Sequence, residues 1–138
     1  MKRLLLMLII ATTLLGCDKE NFNNRNPYIP NYGFSVLINT NLPSYSQLTF
    51  ASNAIYYPNE GALGLIIFNT GSGYKAYDAA CPNQPISSCS TMTINGINAV
   101  CGCDDAEYNL FTGQAPNTEY PMKQYRVEVT GDVIRVFN

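Results

Sequence analysis

Histidine is absent from all 138 residues. Its absence excludes Ser-His-Asp and Cys-His triads, HExxH zinc sites and every other use of imidazole as base or ligand. Charge is scarce as well, with Asp, Glu, Lys and Arg making up 13% of the chain. Eight residues are basic and ten acidic, and two of the basic ones, Lys2 and Arg3, belong to an N-terminal leader. Beyond the leader the chain has six basic against ten acidic residues, a net charge of −4, which makes nucleic acid and anionic lipid surfaces poor partners. No apolar run reaches the roughly 20 residues that a membrane-spanning helix needs. No stretch carries a helical period, and there is no glycine-rich phosphate loop, nucleophile elbow or internal repeat. Most familiar hydrolase mechanisms are thereby excluded.

The features that are present begin with a signal. Met1, Lys2 and Arg3 form a short positive segment and residues 4–15 an almost unbroken apolar one, the order that a secretory leader requires. Leu14-Leu15-Gly16-Cys17 closes the segment. That tetrapeptide resembles the lipobox of bacterial lipoproteins, in which small residues admit the peptidase and the cysteine thiol receives diacylglycerol. The resemblance implies removal of residues 1–16 and attachment to a membrane through lipid on Cys17, each buried methylene contributing ~0.8 kcal/mol. The expected location is the cell envelope, on the outer membrane, with the domain in the periplasm or at the cell surface. Residues 17–33, rich in Asn and Pro and without period, read as a flexible tether.

The 122 residues from Cys17 onward suffice for one domain with a real core, expected over residues 34–138. Its apolar runs are short and β-like: 34–38, 48–51, 54–57, 65–68, 74–77, 91–94, 97–100 and 108–110, separated by Asn, Pro and Gly clusters. Two final runs, 125–129 and 133–137, flank Thr130-Gly131-Asp132 and alternate, with Tyr125, Val127 and Val129 opposite Arg126 and Glu128. They predict a β-hairpin. The expected fold class is all-β, built of small antiparallel sheets.

Cysteines 81, 89, 101 and 103 form an even set, which in an exported protein is first a disulfide framework with three formal pairings. Their spacing does not fit the paired CxxC knuckles of a zinc ribbon, although a site using all four thiolates stays open. Asp104, Asp105 and Glu107 read as a solvated acidic turn, since Ca²⁺ needs six or more oxygens from a wrapped loop. Of the ten tyrosines, Tyr28, Tyr32, Tyr45, Tyr56, Tyr57 and Tyr120 lie in or beside Pro- and Asn-rich segments. They are candidates for a contact patch, against the commoner use of such rings as β-core packing.

The segment 73–138 resembles a Rieske [2Fe-2S] domain. Rieske domains carry Cys-x-His in one loop and Cys-x-x-His in a second, followed by a Phe-Asp-x-x-Thr-Gly stretch and a terminal hairpin. The corresponding run here is Cys81-Pro82-Asn83, Cys101-Gly102-Cys103-Asp104, then Tyr108-Asn109-Leu110-Phe111-Thr112-Gly113 and the hairpin from Tyr125. The resemblance implies a Rieske-like antiparallel β sandwich or barrel with two cysteine-bearing loops. Both ligand histidines are replaced, by Asn83 and Asp104. Rieske iron needs two imidazoles beside two thiolates, and an Asn/Asp pair is a poor substitute. Cys81, Asn83, Cys101 and Asp104 are therefore read as vestigial cluster positions, with no cofactor or metal expected. The family geometry then implies disulfides Cys81–Cys101 and Cys89–Cys103. Residues 114–122 replace the family's cluster-shielding turn with a shorter, altered segment.

Three functions remain. The first is a non-enzymatic binding or structural component of the envelope, with a protein partner there. The second is an electron-transfer protein holding a [2Fe-2S] cluster through substitutes among Asp104, Cys103 and Cys89 beside Cys81 and Cys101. The third is a thiol-disulfide enzyme built on Cys101-Gly102-Cys103, which lacks a flanking cation to activate a thiol.

Overall fold

A computed structural model describes residues 24–138. The leader and Cys17 lie outside the described residues. Nine strands succeed one another among the described residues: β1 Ser35–Asn39, β2 Ala54–Tyr57, β3 Leu65–Asn69, β4 Tyr74–Asp78, β5 Thr93–Asn95, β6 Asn98–Val100, β7 Glu107–Asn109, β8 Gln124–Thr130 and β9 Val133–Phe137. They form a six-stranded sheet in the order β1-β9-β8-β4-β3-β2 and a three-stranded sheet β5-β6-β7. Every pairing is antiparallel, so the all-β expectation holds. No helix among the described residues is long and apolar enough to cross a membrane.

β3 explains how the sheets are held together. All five of its residues are buried, and successive side chains point to opposite faces. Ile66 and Phe68 enter one core with Tyr77, Cys81, Met92, Ala99, Cys101, Tyr108 and Leu110. Leu65 and Ile67 enter a second with Ile38, Leu48, Ile55, Ala76, Tyr125, Ile134 and Val136. A strand with apolar residues on both faces thus divides two cores, as its unbroken Leu-Ile-Ile-Phe run requires. Each such side chain fully buried contributes about 1.5–3 kcal/mol. The first core lies under the cysteine loops; the second lies inside the curl that β1, β8 and β9 make with β4, β3 and β2. The β8–β9 hairpin pairs Thr130 with Val133 across Gly131-Asp132, as predicted.

Two sequence expectations are corrected. Residues 48–51 were expected to form a strand, but Leu48 and Thr49 end a 3-10 helix, Pro43–Thr49, which has its proline at the first position. Local side chains close that turn: Ser46 Oγ donates to Pro43 O and Thr49 Oγ1 to Ser46 O. Leu48 still plugs the second core, fully buried, while its carbonyl accepts from Asn69 Nδ2 and Tyr74 OH. The second correction concerns the tether. Its described part, residues 24–33, is packed against the domain. Ile29 is buried, and Lys123 Nζ donates to both Asn24 O and Asn31 Oδ1. Asn24 and Asn31 side chains bond Asn138, Asn26 Nδ2 donates to Pro82 O, and Tyr28 stacks edge-on against Tyr120.

The cores contain hydroxyls that set the alkaline limit of stability. Burial raises Tyr77 and Tyr125 far above the ordinary tyrosine range, the neighbouring Asp78 carboxylate adding to the shift at Tyr125. The unfolded chain releases these protons near pH ~10 whereas the folded one keeps them, so the stability they protect is intact below that pH and lost above it. Lys123, lowered by burial, acts in the opposite sense. Its contribution rises with pH and is complete once the unfolded lysine has titrated near ~10.5. Above that point the buried tyrosines, Tyr108 among them, act unopposed. Urea-denaturation free energy is expected to fall there by about 1.4 kcal/mol per pH unit for each tyrosine that keeps its proton in the folded chain, and Tyr77→Phe to remove one such share of the slope.

Candidate functional site

The two cysteine loops leave the sheets as short closed hairpins. After β4, Cys81 N donates to Ser90 O and Met92 N to Ala79 O, with Ala80 bridged to Thr91, so residues 80–91 are pinched at their base. This loop carries Cys81, buried, and Cys89, exposed. Between β6 and β7, Cys101 N donates to Ala106 O and Asp105 N to Cys101 O, and the tight turn takes Asp105 to φ 57°. The second loop carries Cys101, buried, and Cys103, half-buried.

The structure joins these loops by two disulfides, Cys81–Cys101 with Cα atoms 5.5 Å apart and Cys89–Cys103 with Cα atoms 5.1 Å apart. Of the three pairings left open by the spacing, this is the one the Rieske resemblance implied. The inner bridge is sealed at 1% and 0% exposure and the outer one faces solvent. Gly102 lies against the first loop: a Cβ there would lie 2.9 Å from Cys89 O. Gln84 Nε2 donates to Cys101 Sγ at 2.9 Å, and Ser87 Oγ lies 3.2 Å from Cys89 Sγ. Neither Gln84 nor Ser87 stands out in the sequence beyond its nearness to a cysteine.

Asn83 and Asp104, the two positions where histidine is missing, have separate fates. Asn83 is fully engaged. Its Nδ2 donates to Tyr108 OH and Tyr120 O, each at 2.8 Å, and its Oδ1 accepts from Glu119 N at 3.1 Å and Tyr120 N at 2.8 Å. One amide thus ties the first loop to residues 119–120 and, through Met122 N to Gly113 O, to the segment that closes over the site. Burial raises the Tyr108 hydroxyl, so it stays protonated. Asp104 is exposed and its Oδ1 accepts from Ala106 N, capping its own turn. Asp105 and Glu107 are exposed too, and Glu107 Oε2 accepts from Asn98.

A two-imidazole, two-thiolate cluster does not fit these residues. The Cys81 and Cys101 sulfurs are bonded to each other, the Asn83 amide has all its hydrogen-bonding capacity in use, and Asp104 lies in solvent. Asn83→Ala is expected to destabilise the domain by about 1–3 kcal/mol, because Glu119 N and Tyr120 N lose their acceptor. Equilibrium denaturation would show the loss, and hydrogen exchange at the Tyr120 amide should accelerate in parallel.

Of the sequence-selected tyrosines, Tyr28, Tyr32 and Tyr56 are exposed and Tyr45, Tyr57 and Tyr120 half-buried, whereas Tyr77, Tyr108 and Tyr125 are the core rings.

No protein-family model and no curated protein matches the chain. Solved structures similar to it include a ferredoxin from Sphingomonas yanoikuyae, at 16% identity and TM-score 0.47, with 67% of this chain and 93% of that one covered. The ferredoxin of carbazole 1,9a-dioxygenase from Nocardioides aromaticivorans aligns at 15% identity and TM-score 0.45, with 63% and 86% covered. A Mycobacterium tuberculosis protein described as an NADH-dependent nitrite reductase small subunit aligns at 13% identity and TM-score 0.48, with 78% and 97% covered.

Proposed function

We propose that this chain is an exported lipoprotein, held to a membrane through lipid on Cys17, whose Rieske-like domain works without an iron–sulfur cluster. In this reading it is a non-enzymatic binding or structural component of the cell envelope. The observation that carries it is the closure of both cysteine pairs across the two loops, with Asn83 spent on internal hydrogen bonds where a ligand would stand. A cluster would need the Cys81 and Cys101 thiolates free. The anchor is supported by the order of charge, apolar run and Leu-Leu-Gly-Cys in residues 1–17.

The packed arm sharpens this reading. Seven residue steps separate Cys17 from Asn24, a reach of at most about 25 Å, so the domain stays close to the anchoring surface. Exposed Tyr32 and Phe50, at 54% and 67%, support contact with an envelope protein, since aromatic side chains dominate such interfaces.

The test is an iron assay, visible spectrum and thiol count on the full chain, purified anaerobically in detergent. No iron and no free thiol is the expected result; iron near two per chain with charge-transfer bands would establish electron transfer instead. In the same preparation lipid mass should be found on Cys17, and Cys17→Ala should leave the membrane fraction. A Cys17→Ala chain that stays in the membrane fraction, or a Cys17 peptide without lipid, would remove the anchor from the reading.

A further inference from the structure

The two disulfides are not insulated from each other. The Sγ atoms of Cys81, Cys101 and Cys103 all lie within 4.8 Å of one another, so one sulfur of the outer bridge stands beside both sulfurs of the inner one. Access is unequal, with Cys89 exposed and Cys103 half-buried while Cys81 and Cys101 are sealed. A thiolate arriving from solvent therefore meets the outer bridge first. Exchange proceeds by thiolate attack on a disulfide sulfur, with the better-stabilised sulfur leaving.

We propose that this face is a two-stage relay for a dithiol reductant, in which the outer disulfide takes the electrons and the buried one receives them by internal exchange. A thiolate of the dithiol attacks Cys89 Sγ, breaking the Cys89–Cys103 bond and expelling Cys103 as thiolate. The reductant's second thiol then attacks its own sulfur in the mixed disulfide, releasing Cys89 as a thiol. Two electrons and two protons have passed to the protein, and the reductant leaves as its disulfide. Cys103 next attacks Cys81 Sγ. A Cys81–Cys103 bond forms, the Cys81–Cys101 bond breaks, and Cys101 leaves as a thiolate that takes up the proton Cys103 lost.

Three side chains give the relay its direction. Ser87 Oγ lies 3.2 Å from Cys89 Sγ and 3.7 Å from Cys103 Sγ, and Ser90 Oγ, which donates to Pro85 O at 3.4 Å, is 3.7 Å from Cys103 Sγ, so both hydroxyls are near enough to turn toward Cys103 when it leaves. Gln84 Nε2 already donates to Cys101 Sγ, which makes Cys101 the stabilised leaving sulfur and Cys81 the sulfur attacked. The alternative product, a Cys101–Cys103 bridge spanning Gly102 alone, closes a cramped ring. The product carries its new thiols at Cys89, on the surface, and at Cys101, inside.

The relay rests on the cluster-free reading, and one experiment separates their failures. The full chain in detergent is treated anaerobically with one equivalent of dithiothreitol, trapped with N-ethylmaleimide and peptide-mapped. Label on Cys89 and Cys101 with a Cys81–Cys103 crosslink is the expected result. Cys103→Ser should slow dithiol reduction of the inner bridge by about tenfold or more, and Gln84→Ala should shift label from Cys101 back to Cys103. Label on Cys89 and Cys103 alone, with Cys81–Cys101 intact, overturns the relay and leaves the cluster-free reading standing; starting protein with bound iron and no disulfide overturns both.

Discussion

A chain lacking all four loop cysteines is expected to lose a large share of its folding free energy. Each bridge closes a loop, of sequence separation 20 for Cys81–Cys101 and 14 for Cys89–Cys103. Taken alone, a loop of that size constrains the unfolded chain by about 3 kcal/mol. The loops share residues 89–101, so with one bridge intact the second closes less new chain. The first pair removed should therefore cost less than about 3 kcal/mol and the last pair about that full amount. Cys81 and Cys101 are buried, so their replacement by alanine adds a cavity in the first core, and that double variant should be the weaker of the two. Against the 5–15 kcal/mol typical of a whole domain, losing both bridges is decisive. Urea denaturation of Cys81→Ala/Cys101→Ala, Cys89→Ala/Cys103→Ala and the quadruple variant would measure this directly. A quadruple variant within about 1 kcal/mol of the parent would show that the sheets need no clasp.

That clasp was only partly legible in the sequence. Four exported cysteines predicted disulfides, but the pairing came from the Rieske resemblance, since spacing leaves three choices. The strands that the sequence placed to the residue, 54–57 and 133–137, are dense in β-branched and aromatic residues and bounded by turn formers. Residues 48–51 misled because a short apolar run looks alike in a strand and in a helical turn. Here Leu48 alone supplies the core contact and local Ser and Thr hydrogen bonds set the backbone. The arm at 24–33 has the composition of a linker, yet its asparagines bond partners as far off in sequence as Pro82, Lys123 and Asn138. No local signal encodes that.

Asp78 was equally hidden, the acidic end of the strand Tyr-Lys-Ala-Tyr-Asp, and its replacement should be among the costliest single changes in the chain. Its carboxylate is 0% exposed and accepts from Ala62 N at 2.7 Å, Leu63 N at 3.3 Å, Ala80 N at 2.8 Å and Tyr125 OH at 2.7 Å. It therefore joins three parts of the fold: the turn before β3, the base of the first cysteine loop, and β8. Asp78→Ala leaves those amides and a buried hydroxyl without an acceptor, and removes the carboxylate whose charge supports buried Lys123. The expected loss is about 3–5 kcal/mol. Tyr125→Phe should cost less, about 1.5–3 kcal/mol, because it deletes only one donor to the carboxylate. Gly61 gives an independent check on the same carboxylate. Its φ is +73° and a Cβ would lie 2.6 Å from Asp78 Oδ2, so Gly61→Ala should cost about 1–3 kcal/mol through backbone strain and displacement of the carboxylate. In the double variant the clash is gone and only the backbone term remains. The two substitutions should therefore be less than additive in a urea-denaturation cycle. Strict additivity would mean that the carboxylate does not hold the turn, and that residues 61–63 are placed by the strand ends alone.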